Sequence, residues 1–464
     1  MTLPNFDVHF AVLALEWIFV VYFLVAHGGH ILLAVASISS LRRQIGSENT
    51  NMLPPLSTGY EMPLSIVVPV SDASEDVARF IHSLFNLDYP EFEVIVAVDG
   101  ANDDSLSELR RLFEMEVFPE AFWRQVRSKP VRGVYRSARY PRLRVIDKGK
   151  GGTGDTINAG VNAARYPIVC IAYPDCALQR TSLRRLVQDF IEDPNTVAAG
   201  TAPRITSRNL ISTGFIEQPR LEVPLSSTVH VTDNLRKEHC GRHGWAALNA
   251  CLDVSDRFCI FRRTVLIEAG GCNRDVVNPV LELLQRIVRQ HVASGKPYKI
   301  AYSAAPLVWQ SVPTTSAEIY RSIAREHRGL SDALKLNSDL LRLKWTGAMR
   351  RLAFPFLAMT EVAGPSIELI SLLFFLSAFA LDLISVQHFI AFAIVSAGLG
   401  VLVSWLAITL DAIVFRTYAG AGSYVRLFIG AVFENIGFRQ LKALCMVPGL
   451  PRNTPTQAAA RQRA

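Results

Sequence analysis

Three apolar patterns follow one another along the chain, and each predicts a different kind of element. The first is unbroken. Residues 10 to 41, "FAVLALEWIFVVYFLVAHGGHILLAVASISSL", are followed at once by Arg42 and Arg43. The run exceeds the ~20 residues a helix needs to cross a bilayer. The basic flank predicts that its C-terminal end faces the cytoplasm. A cleaved leader would be shorter and would carry its basic residues in front. His27 and His30 flank Gly28-Gly29 within the run. Small residues there favour a helix-packing face over a polar site in the bilayer.

The second pattern alternates. "LSIVVPV" (64–70), "FEVIVAVDG" (92–100), "LRVIDKG" (143–149) and "IVCIAYPD" (168–175) read as short buried strands. Helical patterns follow them, from Glu75 to about Leu87, from Ser105, over "GDTINAGVNAARYP" (154–167) and over "TSLRRLVQDFIED" (181–193). Such alternation predicts an α/β domain, a mostly parallel sheet covered by helices.

The third pattern returns to long apolar runs. "PSIELISLLFFLSAFALDLIS" (365–385) and "HFIAFAIVSAGLGVLVSWLAITLDAIVF" (388–415) predict a helical hairpin. Its short linker lacks Lys and Arg, whereas Lys344, Arg350, Arg351 and Arg416 flank its ends. Both ends are therefore expected in the cytoplasm. Residues 424–447 carry Arg426, Glu434, Arg439 and Lys442 and suit an amphipathic helix lying at the membrane face. The expected organisation is a membrane helix and linker (1–59), a cytosolic domain (60–345), a hairpin with an interfacial helix (346–447) and a disordered tail (448–464).

Composition agrees with a membrane protein. Half of the 464 residues are hydrophobic and only 19% are charged, so the apolar surplus calls for lipid as a partner. The net charge of +7 suits cytoplasmic flanks beside anionic lipid. No basic stripe interleaves with aromatics, which argues against nucleic acid. Seven cysteines without a Cys-x-x-Cys pair read as reduced thiols, with neither a disulfide framework nor a zinc ligand spacing.

Ligands of open α/β sheets sit at the carboxyl ends of the strands. Asp72, Asp99, Asp155 and Asp175 all fall at or just beyond those ends. Any one of them is explained as a helix or turn cap. Four at successive ends point instead to a nucleotide-type pocket.

The chain resembles the membrane-bound family-2 glycosyltransferases, the class of cellulose and hyaluronan synthases. The resemblance rests on "IVVPVSDASEDVARFIHSLFNLDYPEFEVIVAVDGANDDS", "GGTGDTINAGVNAARYPIVC", "FRRTVLIEAGG", "VWQSVP" and "FENIGFRQLKAL". It implies a nucleotide-diphospho-sugar transferase fold in the cytosol between N- and C-terminal transmembrane helices. It also implies a multi-pass protein of the bacterial inner membrane. Asp72 then falls at the first nucleotide-binding strand end, where the family's Asn-Glu reads Asp72-Ala73 and one polar contact is lost. Asp99 matches the aspartate that faces the nucleobase, and Asp155 matches the aspartate after the third strand.

Several positions depart from that family's pattern. Its Asp-x-Asp metal motif reads Tyr173-Pro174-Asp175, leaving Asp175 alone to hold a weakened Mg or Mn site. The lysine expected after Gly-Gly is Thr153, a hydrogen-bonding group without charge. The Glu-Asp pair that would supply the general base reads Pro279-Val280. Glu282 is the next acidic position, two residues and about 200° further round a helix. Of the family's Gln-x-x-Arg-Trp, the matching positions Ser322, Arg325 and Glu326 retain only the arginine. Asp256-Arg257 puts bulk and charge where Gly-Ala would leave room for sugar.

Two functions follow from these departures. In the first, the chain keeps the fold and a nucleotide-sugar cleft but lacks normal transfer, a pseudoenzyme that partners an active synthase in polysaccharide synthesis. In the second it is an active inverting hexosyltransferase with rearranged groups, with Asp175 on the metal and Glu282, Asp275 or Asp256 as base.

Overall fold

Leu64–Val70 is buried at all seven positions, as expected of a central strand covered on both faces. In the computed structural model it lies in the middle of a nine-stranded sheet. The structure describes residues 8–50, 61–71, 75–100, 103–201, 203–207, 219, 221, 223–303, 305–312, 315–344 and 348–446. Asp72, the 51–59 linker and the tail from Pro448 lie outside the described residues.

In chain order the strands are β1 (Leu64–Val70), β2 (Phe92–Asp99), β3 (Met115–Val117), β4 (Val131–Ser137), β5 (Leu143–Lys148), β6 (Ile168–Ala172), β7 (Cys176–Leu178), β8 (Thr196–Thr201), β9 (Arg204–Thr206), β10 (Phe258–Arg262), β11 (Lys299–Ser303) and β12 (Val308–Ser311). The large sheet runs β11-β8-β10-β6-β1-β2-β5-β4-β3, and β7-β12-β9 form a small second sheet. β6, β1, β2 and β5 are mutually parallel, so their carboxyl ends open on one edge. β10 enters antiparallel between β6 and β8.

Successive side chains of the central strands alternate between two cores, following the period of two. Val67, Ile95, Ile146 and Ile171 pack on one face with Ile157, Val161, Leu283 and Ile287 of the helices Thr153–Ala163 and Pro279–Ser294. Ile66, Val94, Val96 and Val145 pack on the other with Ile81, Leu84, Leu186 and Phe190 of Glu75–Phe85 and Ser182–Glu192. Six cysteines, Cys170, Cys176, Cys240, Cys251, Cys259 and Cys272, are free and buried.

Among the described residues, three helices are long and apolar enough to cross a membrane: Phe10–Ser39, Arg350–Ala380 and Val386–Phe415. The second begins some fifteen residues before the expected 365, because Pro355 is accommodated inside a helix and a π-helical turn, Ala358–Ala363, carries it onward. Among the last helices, Ala421–Phe433 and Arg439–Met446 are separated by a kink at Ile436 and Gly437, where Gly437 has φ +138°.

The sheet domain and the apolar helices are joined by close packing and buried ion pairs. A Cβ at Gly244 would lie 2.5 Å from the carbonyl oxygen of Leu33, so the short helix His243–Ala247 rests directly on the N-terminal membrane helix. Arg236 pairs with Glu434 at 3.0 Å and Asp233 with Lys442 at 3.1 Å, both across the same junction.

Candidate functional site

The end of β5 carries a cation. Lys148 Nζ donates to Asp99 Oδ1 at 2.5 Å and to the Gly149 carbonyl at 2.8 Å, and lies 2.8 Å from Asp155 Oδ2. Asp99 also accepts from the Gly151 and Gly152 amides, each at 2.8 Å. Gly152 has φ +85°, in the region that favours glycine, and this turns its N–H toward Asp99. Asp155, in the first turn of Thr153–Ala163, accepts from the Lys129 amide at 3.0 and 3.1 Å and lies 3.6 Å from Arg274 Nη1.

Burial pulls the Asp99 carboxyl upward. Hydrogen bonds from Lys148, Gly151 and Gly152 outweigh that effect and hold it below its ordinary value. The structure thus joins Asp99 and Asp155 through one buried lysine. Thr153 is exposed beside them at the start of its helix. Sequence reasoning passed over Lys148; its signal was a charge at the end of an otherwise apolar strand.

The tip beyond β6 carries a second cation. Asp175 Oδ2 lies 2.8 Å from Arg257 Nη1, and that guanidinium sits 5.4 Å from the Tyr173 ring centroid. Asp256 Oδ1 is 3.7 Å from Arg257 Nε. The Tyr173 amide donates to the Arg257 carbonyl at 3.0 Å, continuing the β6–β10 pairing of Ala172 with Phe258. Tyr173 is pushed well above its ordinary pKa by burial, with Asp256 adding to the effect, so the phenol offers no anion. Among the described residues no three His, Cys, Asp or Glu side chains group to hold a metal ion. The donors at the tip therefore do not fit a divalent cation: both carboxylates there, Asp175 and Asp256, face the Arg257 guanidinium.

The position of the expected base is apolar. Asn278 caps the helix Pro279–Ser294 by accepting from the Leu281 amide at 3.1 Å, and Pro279 and Val280 are buried. Glu282 is also buried and pairs with Arg286 at 2.8 Å, while Arg286 donates to the carbonyls of Ala269 and Gly271. Neither Glu282 nor Asp275 lines the cavity described next.

A cavity of about 480 Å³ runs from Asp175 and Arg257 to His30, Phe356 and Glu361 on the membrane helices. Ser322 and Arg325 line it. Its acidic residues are largely engaged: Asp253 with Arg242 at 2.7 Å, Glu326 with Lys237 at 2.6 Å and Asp233 with Arg236 at 2.7 Å. Asp175 and Arg325 thus share one cavity, whereas Asp99, Thr153 and Asp155 lie outside its lining.

Parallel strands whose carboxyl ends open on one edge define an α/β domain of the kind that takes its ligands at those ends. Residues 65–219 match the model of glycosyl transferase family 2, about a third of the chain. The chain is 20% identical over 272 residues to the poly-beta-1,6-N-acetyl-D-glucosamine synthase of Staphylococcus epidermidis, covering 58% of this chain and 55% of that one. It is 18% identical over 284 residues to the enzyme of the same name from Staphylococcus aureus strain COL, covering 61% and 58%. The chain thus spans somewhat over half the length of these relatives. A mannosyltransferase from Pyrobaculum calidifontis, solved with GDP-Man and Mn2+, superposes with a TM-score of 0.51 at 16% identity. That match covers 89% of this chain and 99% of the other, and the likeness is one of fold.

Proposed function

We propose that this chain is a membrane-anchored partner or scaffold of an active polysaccharide synthase, without normal transferase turnover of its own. One observation carries the reading. Each strand-end carboxylate in the described residues is engaged by an internal cation, Asp99 and Asp155 by Lys148 and Asp175 by Arg257. The Pro279-Val280 substitution adds to it, since a general base contributes typically ~10²–10⁴-fold to transfer. The relatives' names support cell-envelope or extracellular polysaccharide as the setting. Arg42 and Arg43 behind the first membrane helix support an inner-membrane protein with its main domain in the cytoplasm.

The test is co-purification from the native host, with nucleotide-sugar hydrolysis and transfer measured on the isolated chain and on the complex. UDP-GlcNAc is the first donor to try, given the relatives' names. The reading expects turnover only where an intact synthase is present. Robust turnover by the isolated chain would contradict it.

A second reading rests on Asp256. Its side chain is 38% exposed, it lines the cavity, and its contact with Arg257 is a loose 3.7 Å. These features support Asp256 as the base of an active inverting transferase, and on that reading Asp256→Asn would abolish turnover without loss of donor binding.

A further inference from the structure

We propose that Arg257 takes the place of a divalent cation at the donor tip, so that the diphosphate of a nucleotide is received there by a guanidinium. The inference rests on the reading that the strand ends still admit a nucleotide, and it adds how the charge is met.

The first argument is placement. Arg257 immediately precedes β10, and the β6–β10 register sets it opposite Tyr173. The sheet itself therefore holds the guanidinium over the β6 tip, 2.8 Å from Asp175. The aromatic face of Tyr173 at 5.4 Å supports it from another side. A metal ion approaching Asp175 would have to displace a cation that is bonded to the carboxylate and anchored through its own backbone.

The second argument is charge and reach. An arginine stays protonated at every physiological pH, and its planar fork of five N–H donors matches phosphate oxygens. Burial alone would lower the Arg257 pKa, but Asp256 and Asp175 outweigh it and raise it further. Asp175 takes Nη1 at 2.8 Å and Asp256 lies 3.7 Å from Nε, which leaves the Nη2 side of the fork for phosphate, and Arg257 lines the cavity with its side chain 21% exposed. Arg325 lines the same cavity, and no ion pair among the described residues includes it.

This arrangement inverts what Asp175 does. In a metal site Asp175 would be a ligand, and its loss would weaken diphosphate binding. Beside Arg257 it competes with phosphate for the same donors, and its loss frees them.

The experiment is equilibrium binding of UDP to the purified full chain in detergent, in excess EDTA and again in Mn2+, for the wild type, Arg257→Gln and Asp175→Asn. Size-exclusion profiles serve as the check of folding. The expected result is UDP binding in EDTA with an affinity that Mn2+ does not change. Arg257→Gln is expected to weaken it about ten-fold or more, and Asp175→Asn to leave it unchanged or tighten it. Binding that appears only with Mn2+ and is lost in Asp175→Asn would overturn the inference. So would the absence of UDP binding under both conditions. If Arg257→Gln does not fold, the sign of the Asp175→Asn effect and the response to Mn2+ still decide. Nucleotide-sugar turnover in EDTA would support the inference while contradicting the partner reading, so the two fail separately.

Discussion

Lys148 and Asp155 form an ion pair at 2.8 Å in which neither side chain has any exposed surface. The same ammonium reaches Asp99 at 2.5 Å. A charge buried this deeply is tolerated only with its partners in place, so the strand ends of β2 and β5 and the helix Thr153–Ala163 are fixed to one another through one atom.

Replacing that lysine should be costly. Lys148→Met keeps the length of the side chain but leaves Asp155 buried without its ammonium, at a cost of about 3–5 kcal/mol. Thermal unfolding in detergent, followed by tryptophan fluorescence, should show a clear loss. Asp155→Asn in the same chain should restore part of it, because the two changes act on one interaction.

Acid should act through Asp99. Its folded pKa lies below its ordinary value, so its contribution to stability is full above about pH 4, the unfolded value, and is lost as pH falls through the lower folded one. Unfolding temperature measured from pH 7 downward should therefore hold through mild acid and then fall. Asp99→Asn should flatten that acid limb; an unchanged limb would mean that other carboxylates set it.

The junction between the sheet domain and the last helices should depend on Glu434. It is fully buried, pairs with Arg236 at 3.0 Å and accepts from Ser404 at 2.7 Å. Glu434→Ala takes one of two paired carboxylates from the Arg236 guanidinium, leaving Asp233 at 2.7 Å, and should cost about 1–3 kcal/mol. The exposed pair Arg139–Glu114, also at 3.0 Å, supplies the control, and Glu114→Ala should leave unfolding unchanged.

How far the sequence reaches is clearest at these same residues. β1, β2, β5 and β6 were visible as apolar runs, the last three closing in Gly or Asp, because strands buried on both faces cannot hide their composition. Asp99, Asp155 and Asp175 were visible as strand-end acids for the same reason. Their partners were not. Arg257 meets Asp175 only because β10 inserts antiparallel beside β6, a register between segments more than eighty residues apart. Lys148 was in plain view, yet a lysine closing a strand reads as a solvent-facing end until the fold shows two carboxylates beneath it. The helix from Arg350 was obscured by Pro355 and Pro365, which the structure accommodates inside the helix Ala348–Leu357, just before a π-helical turn, and at a helix start.

The central claim, that internal cations have replaced the donor chemistry at these strand ends, is tested most directly by nucleotide release. The purified chain would be incubated with a panel of nucleotide-sugars, with and without Mn2+, and freed nucleoside diphosphate measured against a no-protein blank. The account predicts release no greater than the blank in every case. Saturable release that disappears in Asp256→Asn would contradict it.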